Sequence, residues 1–274
     1  MAEKIDILLD NNIMLSAELY RPDDPVINNE TDLITIMVHG FPGSRKSHEN
    51  LFQKIGLQLK ENGYASVSYD SRGCGESDGT FESYNINTAR RDLVAIVNNM
   101  RTRGYSRFVF IGEGLGNIVS FLDYYADAEC FIMLWPVIDT AHYAKNVFNS
   151  VEAMEKKKHG DFIVHNNERI STKFILELEH STFTSYLQKI TAPVLVMHGT
   201  DDKIVPIEGL DIIRNYIGSG RVEITSFQGA GHGLLADNHR NAMLYHIGQF
   251  IKKYAKNSKK RISISLWIYC QFVC

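Results

Sequence analysis

The stretch Arg107–Tyr125, RFVFIGEGLGNIVSFLDYY, sets the tightest limit on how this chain folds. Phe108, Val109, Phe110 and Ile111 form an apolar run closed by Gly112, which predicts a buried strand. Beyond Gly116, the apolar residues Ile118, Val119, Phe121 and Leu122 recur at helical spacing. Between strand and helix stands only Gly112-Glu113-Gly114-Leu115-Gly116. Glycine lets a chain turn sharply and lets a helix come close to a strand. A strand passed directly into a helix in this way belongs to a layered α/β architecture.

The rest of the chain repeats the alternation. Lys4–Leu9 and Met14–Tyr20 read as a hairpin around Asp10-Asn11-Asn12. Arg21–Asp32 reads as a loop. Strands are predicted at Leu33–Val38, Ala65–Tyr69, Phe131–Trp135, Val194–His198 and Val222–Phe227. Helices are predicted at Ser47–Glu61, Ile86–Met100, Ile207–Ile217 and Asn241–Tyr254. This order predicts a mostly parallel sheet with right-handed crossovers. Asp139–Ile190 is longer and more polar than the other crossovers, with a small hairpin expected around His165–Arg169 and a solvated charge run at Glu155–Lys158. An insertion there lies over the C-terminal strand ends, where ligands bind, so it is expected to be a lid, with a plain surface excursion as the alternative.

Composition narrows the function. With 274 residues, 44% hydrophobic and 22% charged, the chain suits one domain with a large core. A net charge of -3 gives no general attraction to nucleic acid or an anionic membrane. Cys74, Cys130, Cys270 and Cys274 lack C-x-x-C spacing or the His pairing of a zinc site, so neither disulfides nor metal are expected, and no cofactor is expected either. The N-terminus lacks an apolar core of signal-peptide length, and no apolar run reaches the ~18 residues of a membrane span, so a cytoplasmic protein is expected. The segment 262–274, ISISLWIYCQFVC, is read as a terminal extension without catalytic part. Docking, self-association into a homo-oligomer and disorder remain open for it.

Strand, glycine-rich turn and helix are also the setting of the G-x-S-x-G nucleophile elbow. Here the middle position is Gly114, which offers no nucleophile. Four more motifs fall in a telling order: HGFPG at 39–43, DSRGCGESDG at 70–79, HGTDDKIVP at 198–206 and GAGHG at 229–233. Together with GEGLG they resemble the α/β-hydrolase superfamily up to about Tyr254, and within it the bacterial cinnamoyl/feruloyl-esterase-like and serine-aminopeptidase-like hydrolases. The resemblance implies an eight-stranded, mostly parallel sheet with helices on both faces in a domain 1–261, with the lid at about 139–190.

The resemblance also assigns roles. His232 would be the general base of a Ser-His-Asp site. Asp202 would accept its Nδ1 proton, with Asp201 the less favoured neighbour. The backbone N–H groups of Phe41 and Leu115 would stabilise an oxyanion without needing the missing hydroxyl. His39 and His198 read as structural, and Glu113 is expected to point away from the reacting centre. Ser71, Ser77, Ser120 and Cys74 lie too far from the apex to be assumed replacements. Three functions stay open. One is a hydrolase of small acyl or aromatic esters or amides, impaired or using water at Gly114. The second is a non-catalytic binder of such a ligand. The third is a partner protein assembling through its tail.

Overall fold

The computed structural model describes residues 2–9, 12–23, 32–124, 126–148, 162–165, 168–234 and 236–255. The charge run at 155–158, the turn at 166–167 and the segment 262–274 lie outside the described residues.

Eight strands form one sheet. In chain order they are β1 (Glu3–Leu8), β2 (Met14–Tyr20), β3 (Leu33–Val38), β4 (Ala65–Tyr69), β5 (Arg107–Glu113), β6 (Cys130–Leu134), β9 (Val194–Gly199) and β10 (Val222–Phe227). Their spatial order is β1-β2-β4-β3-β5-β6-β9-β10. The pairs β1/β2 and β2/β4 are antiparallel, and every other pair is parallel. A small antiparallel ribbon, β7 (Phe162–His165) with β8 (Glu168–Ser171), stands apart from the sheet.

The central strands are buried at every residue and mostly apolar because both of their faces are covered. Along β5, Phe108 and Phe110 enter one core while Val109 and Ile111 enter the other. The first core packs under α2 (Ile86–Thr102), through Leu93, Ile96 and Val97, and under α3 (Gly116–Leu122), through Ile118 and Val119. The second packs under α1 (Leu51–Glu61), through Phe52, Ile55 and Leu59, and under α8 (Asp237–Tyr254), through Met243, Ile247 and Phe250. These spacings of three and four put one apolar stripe of each helix on the sheet. Asn85 starts α2 with a reciprocal capping pair to Thr88, both bonds 2.9 Å.

The excursion after β6 carries α4 (Thr140–Phe148), α5 (Thr172–His180) and α6 (Thr184–Leu187). A short α7 (Leu210–Tyr216) joins β9 to β10. Several helix boundaries move from the sequence expectation: α2 runs on to Thr102, and α7 covers Leu210–Tyr216 rather than Ile207–Ile217. α8 begins four residues earlier, at Asp237. α1 begins at Leu51 rather than Ser47, because Ser47, Glu49 and Asn50 have φ of 58°, 47° and 59°. Those left-handed values cannot propagate a right-handed helix.

Candidate active site

All six parallel strands end on the same edge of the sheet, so the motif loops that follow them meet there. The glycines of the turn after β5 serve different ends. A Cβ on Gly116 would strike the carbonyl oxygens of Val38 and His39, and one on Gly112 would lie 2.6 Å from Asn117 Cα. These two glycines are demanded by close packing of α3 on the strands. A Cβ on Gly114 would meet only Gly40 Cα, at 3.9 Å. Its φ of +54° is left-handed, but space does not exclude a side chain.

Gly114 is tied down by its neighbours. Its N–H donates to Leu134 O (3.1 Å), and its carbonyl accepts from Asn117 Nδ2 (2.9 Å) and Val137 N (3.2 Å). These bonds link the apex to the end of β6. There Trp135, at φ +34°, stands edge-on to the His232 ring with centroids 5.8 Å apart. Trp135 is buried, and its indole N–H has no hydrogen-bond partner among the described residues. A strained residue with an unsatisfied donor, held against an imidazole, fits a side chain kept for its position.

His232 Nδ1 lies 2.7 Å from Asp202 Oδ2. With the proton on Nδ1 facing the carboxylate, Nε2 is free to accept one. The other oxygen of Asp202 accepts the N–H groups of Ile204 and Val205, both at 2.9 Å, which fixes the carboxylate. Burial pushes the Asp202 carboxyl up. The His232 hydrogen bond and charge and the two backbone donors outweigh burial, and the group sits below its ordinary value. Asp201 instead takes a hydrogen bond from Thr200 Oγ1 and does not reach the imidazole. The motif spacing favours Asp202 over Asp201, and the structure brings Asp202 to His232.

The turn after β3 faces the apex through Gly40. Among the described residues, the N–H groups of Phe41 and Leu115 donate to no protein acceptor. The Phe41 carbonyl is pinned by Tyr143 Oη from α4 (2.8 Å), and its ring stacks on Phe81 and Tyr84 at 4.7 and 4.4 Å. Beside the apex lies a cavity of about 470 Å3 lined by Val137, Ile138, Tyr143, Val205, Pro206 and Ile212 among others. Val137 is bonded to Gly114 and Val205 to Asp202, so the cavity wall and the reactive groups are one hydrogen-bonded unit.

The other candidates are engaged elsewhere. Ser71 N–H donates to His39 Nε2 (3.0 Å), Ser77 Oγ donates to Asp70 O (2.6 Å), and Ser120 Oγ donates to Asn117 O (2.7 Å). Burial pushes the Cys74 thiol up to about 12, which suppresses the thiolate. Glu113 receives Ser47 Oγ at 2.6 Å and lies 3.5 Å from His48 Nε2. His48, Trp135 and Tyr143 were not singled out from the sequence. No local motif marks them, since each acts through a contact with a residue far along the chain.

His39 and His198 are buried structural histidines. His39 Nδ1 donates to Gly40 O (2.6 Å), and His198 Nε2 donates to Val205 O (2.7 Å). Burial holds both imidazoles below their ordinary value, against the pull of those bonds. The unfolded chain therefore takes up protons that the native state refuses. Their contribution to stability is complete above about pH 6.5 and is lost as pH falls through the depressed native values. A series of melting curves from pH 7.5 to 5 is expected to show a falling melting temperature, with a shallower fall in His39→Gln and His198→Gln.

The fold is that of an α/β-hydrolase. Residues 29–179, more than half of the chain, match the family described as serine aminopeptidase, S33 (Hydrolase_4). The chain belongs to that family. Residues 125–258 also match the prolyl oligopeptidase family. Among curated proteins, the mitochondrial palmitoyl-protein thioesterase ABHD10 of Homo sapiens is 23% identical over 206 residues, 71% of this chain and 65% of that protein. The match thus spans less than two thirds of that relative's length. The non-heme chloroperoxidase of Streptomyces lividans is 23% identical over 252 residues, 74% of this chain and 86% of that protein. Among solved structures, ferulic acid-bound Est1E from Butyrivibrio proteoclasticus superposes with a TM-score of 0.79 at 20% identity, covering 92% of this chain and 99% of the other. Mouse alpha/beta hydrolase domain-containing protein 10 gives 0.73 at 19% identity, covering 92% and 99%. Among the described residues no helix is long and apolar enough to cross a membrane, and no group of three or more side chains could hold a metal.

Proposed function

We propose that the protein hydrolyses carboxylic esters or thioesters of small apolar acyl groups by direct attack of water at Gly114. The observation that carries this reading is the His232–Asp202 pair, 2.7 Å apart, beside an apex with room for a side chain that is not there. A water at the former hydroxyl position would give its proton to His232 Nε2 as its oxygen attacks the acyl carbon. The amides of Phe41 and Leu115 would receive the oxyanion. No acyl-enzyme forms, because Gly114 cannot be acylated. The apolar cavity of about 470 Å3 next to the apex is of a size for a small acyl or aromatic group. The thioesterase name of the ABHD10 relative supports the bond type. Helix α4 of the excursion, which supplies Tyr143 to the Phe41 loop and lines this cavity through His142 and Tyr143, acts as a lid over it.

The test is turnover of p-nitrophenyl butyrate by the native chain and by His232→Ala. The variant should lose on the order of 10²–10⁴-fold in kcat, the contribution of a positioned general base. Equal rates would remove His232 from the chemistry. A second reading, a binder of acyl or aromatic ligands without turnover, is favoured by the glycine itself. It would hold if neither protein turns over ester while butyrate or ferulate raises the melting temperature.

A further inference from the structure

The segment between the Phe41 turn and α1 has a costly backbone. Ser47, Glu49 and Asn50 all have left-handed φ, and Ser47 combines φ 58° with ψ -173°, a region almost reserved for glycine. Such residues cost on the order of 1–3 kcal/mol each and persist only where surrounding structure holds them. Side-chain contacts to distant elements help to hold this segment. Ser47 Oγ donates to Glu113 Oε2 at 2.6 Å, and Glu49 pairs with Arg240 of α8.

What the strained segment presents is His48. Its ring stands edge-on to that of His232, with centroids 6.0 Å apart. Its Nε2 lies 3.5 Å from Glu113 Oε1, and Glu113 is the buried residue immediately before Gly114. Among the described residues the His48 ring makes no hydrogen bond that would occupy its other nitrogen. Two imidazoles, each beside a carboxylate, therefore stand edge-on to each other, and the carboxylate beside His48 belongs to the residue immediately before Gly114. One acts as base in the reading above, and the other has no role in it.

We propose that His48 is a second catalytic residue, the acid that protonates the leaving group when water attacks an ester at Gly114, with Glu113 as its positioning residue. The inference rests on the water-attack reading. The water oxygen bonds to the acyl carbon as His232 takes a water proton. The bond from acyl carbon to leaving oxygen then breaks, its electron pair stays on that oxygen, and His48 supplies the proton that makes it an alcohol. His232 ends with one extra proton and His48 with one fewer, and exchange with solvent restores both. In a serine mechanism a single imidazole does both transfers in turn. Two imidazoles 6.0 Å apart let one take the water proton while the other gives a proton to the leaving oxygen within a single attack.

A good leaving group departs as its anion without help, whereas an alkoxide needs the proton. The experiment compares kcat and KM of the native chain, His48→Gln and Glu113→Gln on p-nitrophenyl butyrate and on ethyl butyrate. His48→Gln should lose about 10²-fold in kcat on the ethyl ester, as expected for a missing general acid, with KM and the p-nitrophenyl ester nearly unchanged. Glu113→Gln should show a smaller loss with the same selectivity. The ratio of the two kcat values does not depend on the fraction folded, so a destabilised variant still reports. Parallel losses on both esters, no loss on either, or an ethyl ester that the native chain never turns over would overturn the proposal alone. No turnover of the p-nitrophenyl ester by the native chain would overturn the water-attack reading and this proposal with it.

Discussion

Replacing Gly114 with serine should raise kcat on p-nitrophenyl butyrate on the order of 10³–10⁶-fold and make the protein react with a fluorophosphonate. The lower figure allows for the water-based activity already present. The upper is the scale of loss when a working triad is stripped of its nucleophile. The structure supports so large a gain because nothing else has to move. The new Cβ meets only Gly40 Cα at 3.9 Å, the His232–Asp202 pair is assembled, and the amides of Phe41 and Leu115 are uncommitted. The same variant should lose stability. At φ +54° a serine sits in the left-handed region, at a cost of about 1–2 kcal/mol, or a fall in melting temperature of roughly 2–8 °C for a chain this size. Activity up and stability down together would show that glycine at this position relieves strain that a nucleophile must bear. A folded serine variant with no gain and no label would mean that His232 does not address the apex.

Removing the carboxylate of Asp70 should be the most destabilising single change outside the apolar core, about 3–5 kcal/mol by urea unfolding of Asp70→Ala. Asp70 is fully buried at the end of β4. It accepts Arg45 N at 2.6 Å and Glu76 N at 3.0 Å, and it pairs with the buried Arg45 guanidinium. Arg45 also reaches Glu76 at 2.7 Å and Glu18 at 3.3 Å. Alanine would leave a buried cation short of its main partner and two backbone donors unpaired, each a penalty in a water-poor interior. Arg45 lies between Phe41 and His48, so activity should fall with stability. Asp70→Asn keeps the acceptor toward Arg45 N and should cost less. A loss under about 1 kcal/mol for Asp70→Ala would place the network among weak surface pairs.

The fold could be read far into the sequence because its elements are locally coded. The span Leu33–Val38 was legible to the residue, since a strand covered on both faces is mostly apolar, here with Thr35 as the one polar residue. The motif loops were legible because each follows a recognisable strand. The start of α1 was not. Residues 47–50 carry no local signal against a helix, but Glu113, 66 positions from Ser47, and Arg240, 191 positions from Glu49, hold them outside it.

By itself the sequence determined the alternation of strands and helices, the hydrolase-like order of motifs and the absence of a hydroxyl at position 114. These are properties of residue type and short-range spacing. Only the tertiary structure set the 2.7 Å contact between Asp202 and His232 and showed that packing compels glycine at 112 and 116 but not at 114. It alone seated Trp135 and His48 against His232 and turned Glu113 toward His48. The physical reason is the same in each case. These are contacts of a few ångströms between residues tens of positions apart, and the sheet sets them by bringing its strand ends to one edge.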